Sequence, residues 1–416
     1  MTDHRRRLLF VSCLIAVVGA GLTRPAGAQL ILGQYEDEAP FRTWNSFPFI
    51  PAAALGRGET SYAWTNDAAA FPANPALLFS LPRITATIGG SFHEASFLKY
   101  GPVNTGILDT DSPISLAAPA LDLATVTFRT GRWAFGLNAS VAETYDRPLA
   151  EYVYKSRDIV QYRVRFEQTG ILRDFALSAG YRIGQGLSLG IGLHFVSGRL
   201  ERHFLEEWAS PKITITDDKT QRYRGFFING GVFWEVAAKF RFAAVFRTPY
   251  KKTGEGESLV RYQAPAGLTD IAIDGRAEDT LRQPFILGLG LNFELFPRLW
   301  AGADFSYIRW SSYEITWFGD RQAREFSGVL KTGGGLEYLT GFKLFGAPAE
   351  IAVRAGISND PQPMKNPLSS YFGYTVGTGL RRGGLVLDLG FLLARESGSG
   401  DGLQAHRAAL SLGYGF

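Results

Sequence analysis

The chain has 416 residues, with 43 Lys and Arg against 39 Asp and Glu and a formal net charge of +4. This balance offers no basic stripe for nucleic acid, and the single cysteine, Cys13, lies in an apolar N-terminal run, so disulfides, thiolate metal sites and cysteine nucleophiles are excluded downstream of it. With 48 glycines, 31 phenylalanines and a mean hydropathy of −0.02, the composition argues against a bundle of membrane helices and suits half-apolar strands, whose lipid-facing and lumen-facing residues average out.

Arg5, Arg6 and Arg7 precede an apolar run over 8–22 that ends at Ala26, Gly27 and Ala28. The run is shorter than the roughly 20 residues of a spanning helix and ends in a small-residue cleavage site, so 1–28 reads as a secretory signal peptide cut after Ala28. Phe10, Val11 and Ser12 fit a lipoprotein signal at Cys13 poorly. Losing Asp3 and four arginines with this segment takes the net charge from +4 to +1. Residues 29–82 follow, carrying Phe41, Trp44, Phe47 and Phe49 among Pro40, Pro48, Pro51, Pro72 and Pro75. They are apolar enough to be buried and too proline-rich to form a strand.

From 83 onward, period-two alternation predicts about fourteen strands: 83–92, 121–130, 133–145, 171–183, 187–203, 223–235, 240–248, 283–294, 299–310, 331–341, 349–358, 371–381, 384–395 and 405–416. Trp133, Phe135, Leu137, Ala139 and Val141 share one face against Ala134, Gly136, Asn138, Ser140 and Ala142; Leu187 to Phe195 and Phe285 to Phe293 alternate in the same way. One such strand fits a soluble sandwich equally well. The connections decide between the two, because long ones over 93–120, 146–170, 204–222, 249–282 and 311–330 alternate with short turns such as Gly131-Arg132 and Arg382-Gly383. Short periplasmic turns, long external loops and an even strand count define an all-β, transmembrane antiparallel β-barrel of about 14 strands.

In the last strand Ala408, Leu410, Leu412, Tyr414 and the terminal Phe416 share a face, which resembles the signal read by the barrel-assembly machinery. Trp133, Trp234, Trp300, Trp310 and Trp317 fall near strand ends, where indole rings suit the membrane interface. A barrel this wide is not closed by its own side chains. The organisation is therefore a signal peptide (1–28), an N-terminal hatch inside the lumen (29–82) and a transmembrane barrel (83–416).

Ala54-Leu55-Gly56-Arg57-Gly58-Glu59, Asn66-Asp67-Ala68-Ala69-Ala70 and Asn74-Pro75-Ala76-Leu77 resemble the hatch of the FadL/TodX (OMPP1) family of outer-membrane transporters. The resemblance continues at Leu177-Ser178-Ala179-Gly180-Tyr181-Arg182 and at Val353-Arg354-Ala355-Gly356 with Asp360-Pro361-Gln362-Pro363. It implies localisation in the bacterial outer membrane and passive, cofactor-free passage of hydrophobic small molecules, long-chain fatty acids or aromatic and aliphatic hydrocarbons. It also implies a sideways exit through a gap at a kinked strand, for which Gly170 and Gly180 are candidate positions.

Asn74, Pro75 and Ala76 then form the hatch or gate turn, or simply a tight turn. Asp67 either anchors the hatch to a lumenal arginine or caps a short helix. Arg354, Arg241 and Arg247 sit at lumenal phases suited to a ligand carboxylate, or pair with lumenal acids such as Asp304, Glu337 and Asp388. Phe204, Leu205 and Trp208 supply a greasy loop surface for ligand, or rest on lipopolysaccharide and outer-membrane lipid, since Met364 is the only methionine after the signal segment. His93, His194, His203 and His406 fall in no catalytic motif, which argues against an enzyme, and no metal site is expected. The rival reading is a non-transporting scaffold barrel in protein secretion or surface attachment. No residue chooses among the hydrophobic substrates.

Overall fold

Backbone amides that face hydrocarbon have only each other as partners, so alternating strands must pair on both edges and close. The computed structural model describes residues 50–65, 69–97, 108–109, 120–144, 147–156, 159–210, 212–263, 270–317, 320–322, 326–363, 365, 368–398 and 403–416. In chain order the wall is β1 (Ile84–Phe97), β2 (Ala120–Thr130), β3 (Trp133–Thr144), β4 (Ile159–Gly184), β5 (Leu187–Trp208), β6 (Ile213–Ala237) and β7 (Phe240–Arg247). It continues with β8 (Ile286–Phe296), β9 (Leu299–Ile308), β10 (Val329–Leu344), β11 (Ala347–Pro361), β12 (Ser370–Arg382), β13 (Leu385–Ser397) and β14 (Leu403–Gly415). Each pairs antiparallel with the next, and β1 pairs with β14 from Thr85↔Gly415 to Phe97↔Leu403, which closes a fourteen-strand barrel.

The alternation puts Leu137, Leu177, Phe195, Leu289 and Leu410 outside, each about half exposed, and puts Asn138, Ser178, His194, Asn292 and Ser411 inside and buried. The outward face of β14 is the expected one: Leu410, Leu412, Tyr414 and Phe416 are all exposed, and the Phe416 amide donates to the Ile84 carbonyl at 2.8 Å. Two-residue turns join strands at one end. At Phe345-Gly346 both residues take positive φ, 50° and 79°, the conformation that matches the twist of a tight hairpin.

Three expectations change. The long connections are largely not loops: β4, β5 and β6 run to 26, 22 and 25 residues, against the roughly 9–11 that cross a membrane. Their outer halves continue into a tall sheet with Tyr250–Gln263, Ile271–Gln283 and Glu314–Trp317. Pro249 and Pro284 mark the breaks between β7, β8 and this outer sheet, since proline has no amide for the ladder. The tryptophans also divide: Trp133 and Trp234 face outward and are half exposed, whereas Trp300 turns inward under the Arg241 guanidinium, 4.2 Å from the ring centroid. Trp310 packs against Tyr313, ring centroids 5.5 Å apart. Finally, Gly170 takes φ +146° with the β4–β5 register unbroken around it, and the register shifts of the wall fall at Gly89/Gly90, Val141/Glu143, Arg182/Gly184, Glu235/Ala237 and Glu294/Phe296. Residues 1–49, including Cys13, Phe41, Trp44, Phe47 and Phe49, lie outside the described residues, as does Met364.

A charge on the outward face at mid-height costs about 2–4 kcal/mol in such barrels. Leu177→Arg is expected to lower the folding free energy in lipid vesicles by that amount, measured by urea titration, while Thr214→Arg, beyond the membrane on β6, shifts it by less than about 0.5 kcal/mol.

Candidate functional site

The inward faces explain the glycine count. A Cβ at Gly190 would lie 2.3 Å from the Ala76 amide nitrogen, one at Gly335 2.2 Å from the Arg57 carbonyl, one at Gly390 2.2 Å from the Ala52 carbonyl, and one at Gly302 2.7 Å from Trp64 Nε1. These glycines sit on β5, β10, β13 and β9, all around the barrel, so the segment they touch fills its centre. Apart from Thr65, every described residue from Ile50 to Phe79 is buried.

Local chemistry shapes this plug. Pro51 precedes one helical turn, Ala52–Leu55. Asn74 caps the 3₁₀ helix Pro75–Ser80, its Oδ1 accepting from the Ala76 amide at 3.1 Å, and Pro75 at the first position has no donor to leave unpaired. The Asn74 Nδ2 donates to the Tyr62 carbonyl at 2.9 Å and reaches the Val232 carbonyl on β6 at 3.4 Å. One side chain thus ties the turn to another part of the plug and to the wall.

Charges fasten the opposite side. Arg57 of the plug, stacked on Trp64 at 4.2 Å, donates to Glu337 Oε2 at 3.1 Å. The same oxygen accepts from Arg354 Nε at 2.5 Å, and Arg354 meets Asp388 at 2.7 Å, so one relay crosses β10, β11 and β13. Glu59 of the plug lies 3.2 Å from Lys331, which also faces Asp360 at 3.3 Å. Asp304 on β9 accepts the amides of Ser61 and Tyr62 at 2.6 and 3.0 Å. Burial pushes the Tyr62 hydroxyl up from the ordinary phenol range, so it stays neutral against Ser306, 2.8 Å away.

Above the plug the strands bring together a buried cluster that includes Tyr223, Phe227, Tyr250, Leu281, Tyr313 and Phe326. Polar groups are interleaved with it, Asp174 opposite Val196, His194 opposite Phe227 and Lys252 opposite Gly225. His194 stacks flat on Phe227, ring centroids 4.3 Å apart, with Nδ1 2.8 Å from Asp174. Arg247 lies 5.6 and 5.5 Å from the Phe227 and Tyr250 rings and donates to the Pro284 carbonyl at 2.8 Å. Lys252 donates to Glu143 at 2.6 Å.

The residues singled out in the sequence are therefore dispersed. Asn74, Pro75 and Ala76 form the plug's capped turn, and Asp67 lies outside the described residues. Arg354 belongs to the plug relay, Arg241 pairs with Asn292 at 3.1 Å and Trp300, and of the three only Arg247 reaches the aromatic cluster. Phe204 and Leu205 project from opposite faces of β5, because adjacent strand residues alternate, so the expected single patch divides: Phe204 and Trp208 look inward and Leu205 outward. The plug's charge links run in both senses, a plug arginine on the wall carboxylate Glu337 and a plug carboxylate, Glu59, on the wall cation Lys331. Their signal was present in the Arg57 and Glu59 of the quoted motif.

A closed barrel of this kind, with short turns at one end and tall strands at the other, is a multi-pass outer-membrane protein. The profile of the outer membrane protein transport protein family (OMPP1/FadL/TodX) matches residues 51–371, and the chain belongs to that family. Among solved structures it is similar to the toluene transporter TodX of Pseudomonas putida, at 14% identity over 88% of this chain and 98% of that one with a TM-score of 0.65. It is also similar to a FadL homologue of Pseudomonas aeruginosa (15%, 88% and 98%, 0.65) and to the toluene transporter TbuX of Ralstonia pickettii (16%, 90% and 99%, 0.61). At these identities the likeness is one of fold. No curated sequence matches the chain.

Glu337→Gln removes a carboxylate shared by two buried arginines, which costs about 3–5 kcal/mol in comparable networks. The expected result is a lower denaturation midpoint, together with greater passage of hydrophilic antibiotics into cells carrying the variant.

Proposed function

We propose that the chain is a passive channel for hydrophobic small molecules, with the segment 50–82 as its gate. The carrying observation is the layering of the lumen: a cluster of buried apolar and aromatic side chains on the outer side, and below it a buried plug held by a small number of polar links. Tyr223, Phe227, Tyr250, Tyr313 and Phe326 present ring faces and few unpaired donors, which favours an apolar ligand such as a hydrocarbon or an acyl chain. Arg247, beside the Phe227 and Tyr250 rings, is the cation placed to meet a carboxylate head.

Exit to the side is supported by the wall. On the outward face Ala86, Ala124 and Ala139 form the floor of an apolar groove of about 730 Å³ between Ile88, Leu137, Phe175 and Tyr414. Two of the wall's register shifts, at Gly89/Gly90 and Val141/Glu143, fall in these same strands. Hydrophobic cargo leaving there enters lipid without crossing water.

A host lacking the gene is expected to lose uptake of radiolabelled oleate or toluene, and the wild-type gene to restore it. The Asn74→Ala, Pro75→Ala pair, which loosens the turn between Tyr62, Ala76 and Val232, is expected to restore it only in part. Unchanged uptake of both compounds, with the barrel present in the outer membrane, would refute transport of these substrates and move the function to a scaffold role.

A further inference from the structure

Four arginines on the outer face of β4, β5 and β6 serve neither the wall nor the lumen. Across these strands Phe175, Phe195 and Phe226 stand in register on the lipid side, each about half exposed. The next outward-facing rung away from the short turns is Arg173, Ser197 and Arg224, and the one after it Ile171, Arg199 and Arg222. Successive rungs are about 7 Å apart, so all four guanidinium groups lie within roughly 14 Å beyond the aromatic row before side-chain reach is counted. All four residues are exposed.

Their arrangement is unfavourable when empty. Arg199 is directly opposite Arg222, and like charges so placed destabilise a sheet. Glu201 lies 2.5 Å from Arg199, and Glu255 stands across from Arg222 in the neighbouring strand. Among the described residues, Arg173, Arg222 and Arg224 make no side-chain ion pair. A multivalent anion would relieve the repulsion, and guanidinium forks match phosphate oxygens in pairs.

We propose that this face binds the phosphorylated head group of outer-leaflet lipopolysaccharide. One phosphate lies between Arg199 and Arg222, another beside Arg173 and Arg224, and the acyl chains lie along the Phe175, Phe195 and Phe226 rings. The height fits this source, since the head groups of the outer leaflet begin where the aromatic row ends. The outer sheet would thereby be docked to the membrane on one side, beneath the tall strands that frame the lumen.

The test titrates bisphosphorylated lipid A into the full chain in detergent micelles, with bound lipid counted by native mass spectrometry. Wild type is expected to bind saturably, and the Arg199→Gln, Arg222→Gln, Arg224→Gln variant at least roughly tenfold more weakly, with a smaller salt dependence. Arg261→Gln with Arg276→Gln, outward residues of the more distant strands, is the matched control and is expected to bind as wild type. Heat-modifiable migration in gels checks that each variant is folded. Equal binding by wild type and the triple variant, or by dephosphorylated lipid A, overturns the proposal. So does displacement of lipid A by an equal concentration of inorganic phosphate, which would mark a simple anion site.

Discussion

In hydrocarbon an unpaired backbone amide or carbonyl costs several kcal/mol, and this constraint sets the rest of the molecule. It forces the strands to close, closure at fourteen strands leaves a lumen wider than the inward side chains fill, and the lumen then has to be occupied. The occupant is the chain's own N-terminal segment. Because that segment is mostly backbone and small side chains at its contacts, the wall meets it with glycine: Gly190 under Ala76, Gly335 under Arg57 and Gly390 under Ala52.

The plug is fastened in two ways. On the β5 and β6 side it packs its own turn against glycines and uses hydrogen bonds from neutral groups, centred on Asn74. On the β9 to β13 side it relies on buried charge, through Arg57, Glu337, Arg354 and Asp388. Buried pairs of this kind add little net stability relative to apolar packing but are costly to break singly, so they specify one position of the plug more than they strengthen it. In the proposed gate, the neutral, capped turn at Asn74 is the easier of the two attachments to release.

The outer half of the molecule answers to a different solvent. Above the aromatic rows the outward faces of β4, β5 and β6 change from Phe and Leu to Arg, Glu and Thr while the hydrogen-bonded ladder continues unbroken. One strand therefore passes through three environments, periplasmic edge, hydrocarbon and head group, and its outward residues record each in turn. The inward residues change on a separate schedule, from plug glycines to an aromatic cluster with the polar groups of His194 and Asp174 interleaved.

Much of this was legible in the amino-acid sequence. Alternation is a local property, so all fourteen wall strands, their outward faces and the short turns could be read from residues such as Leu137, Leu177 and Leu289. The proline-rich 29–82 is unsuited to a strand and reads as interior, and its described part, from Ile50, is buried there. Of the three lumenal acids that suit an arginine by strand phase, Glu337 and Asp388 take Arg354, whereas Asp304 takes the amides of Ser61 and Tyr62. What only the tertiary structure decided is which lumenal group meets which. Arg354, Arg241 and Arg247 share the same strand phase, yet height in the barrel sends one to the plug relay, one to Trp300 and one to the aromatic cluster. Height depends on the stagger between strands, and stagger is a pairwise property of neighbours that no single strand's pattern contains. The extent of the outer sheet was hidden for a related reason: beyond the membrane both faces of a strand meet water or protein, the hydrophobic alternation fades, and the strand reads as a loop.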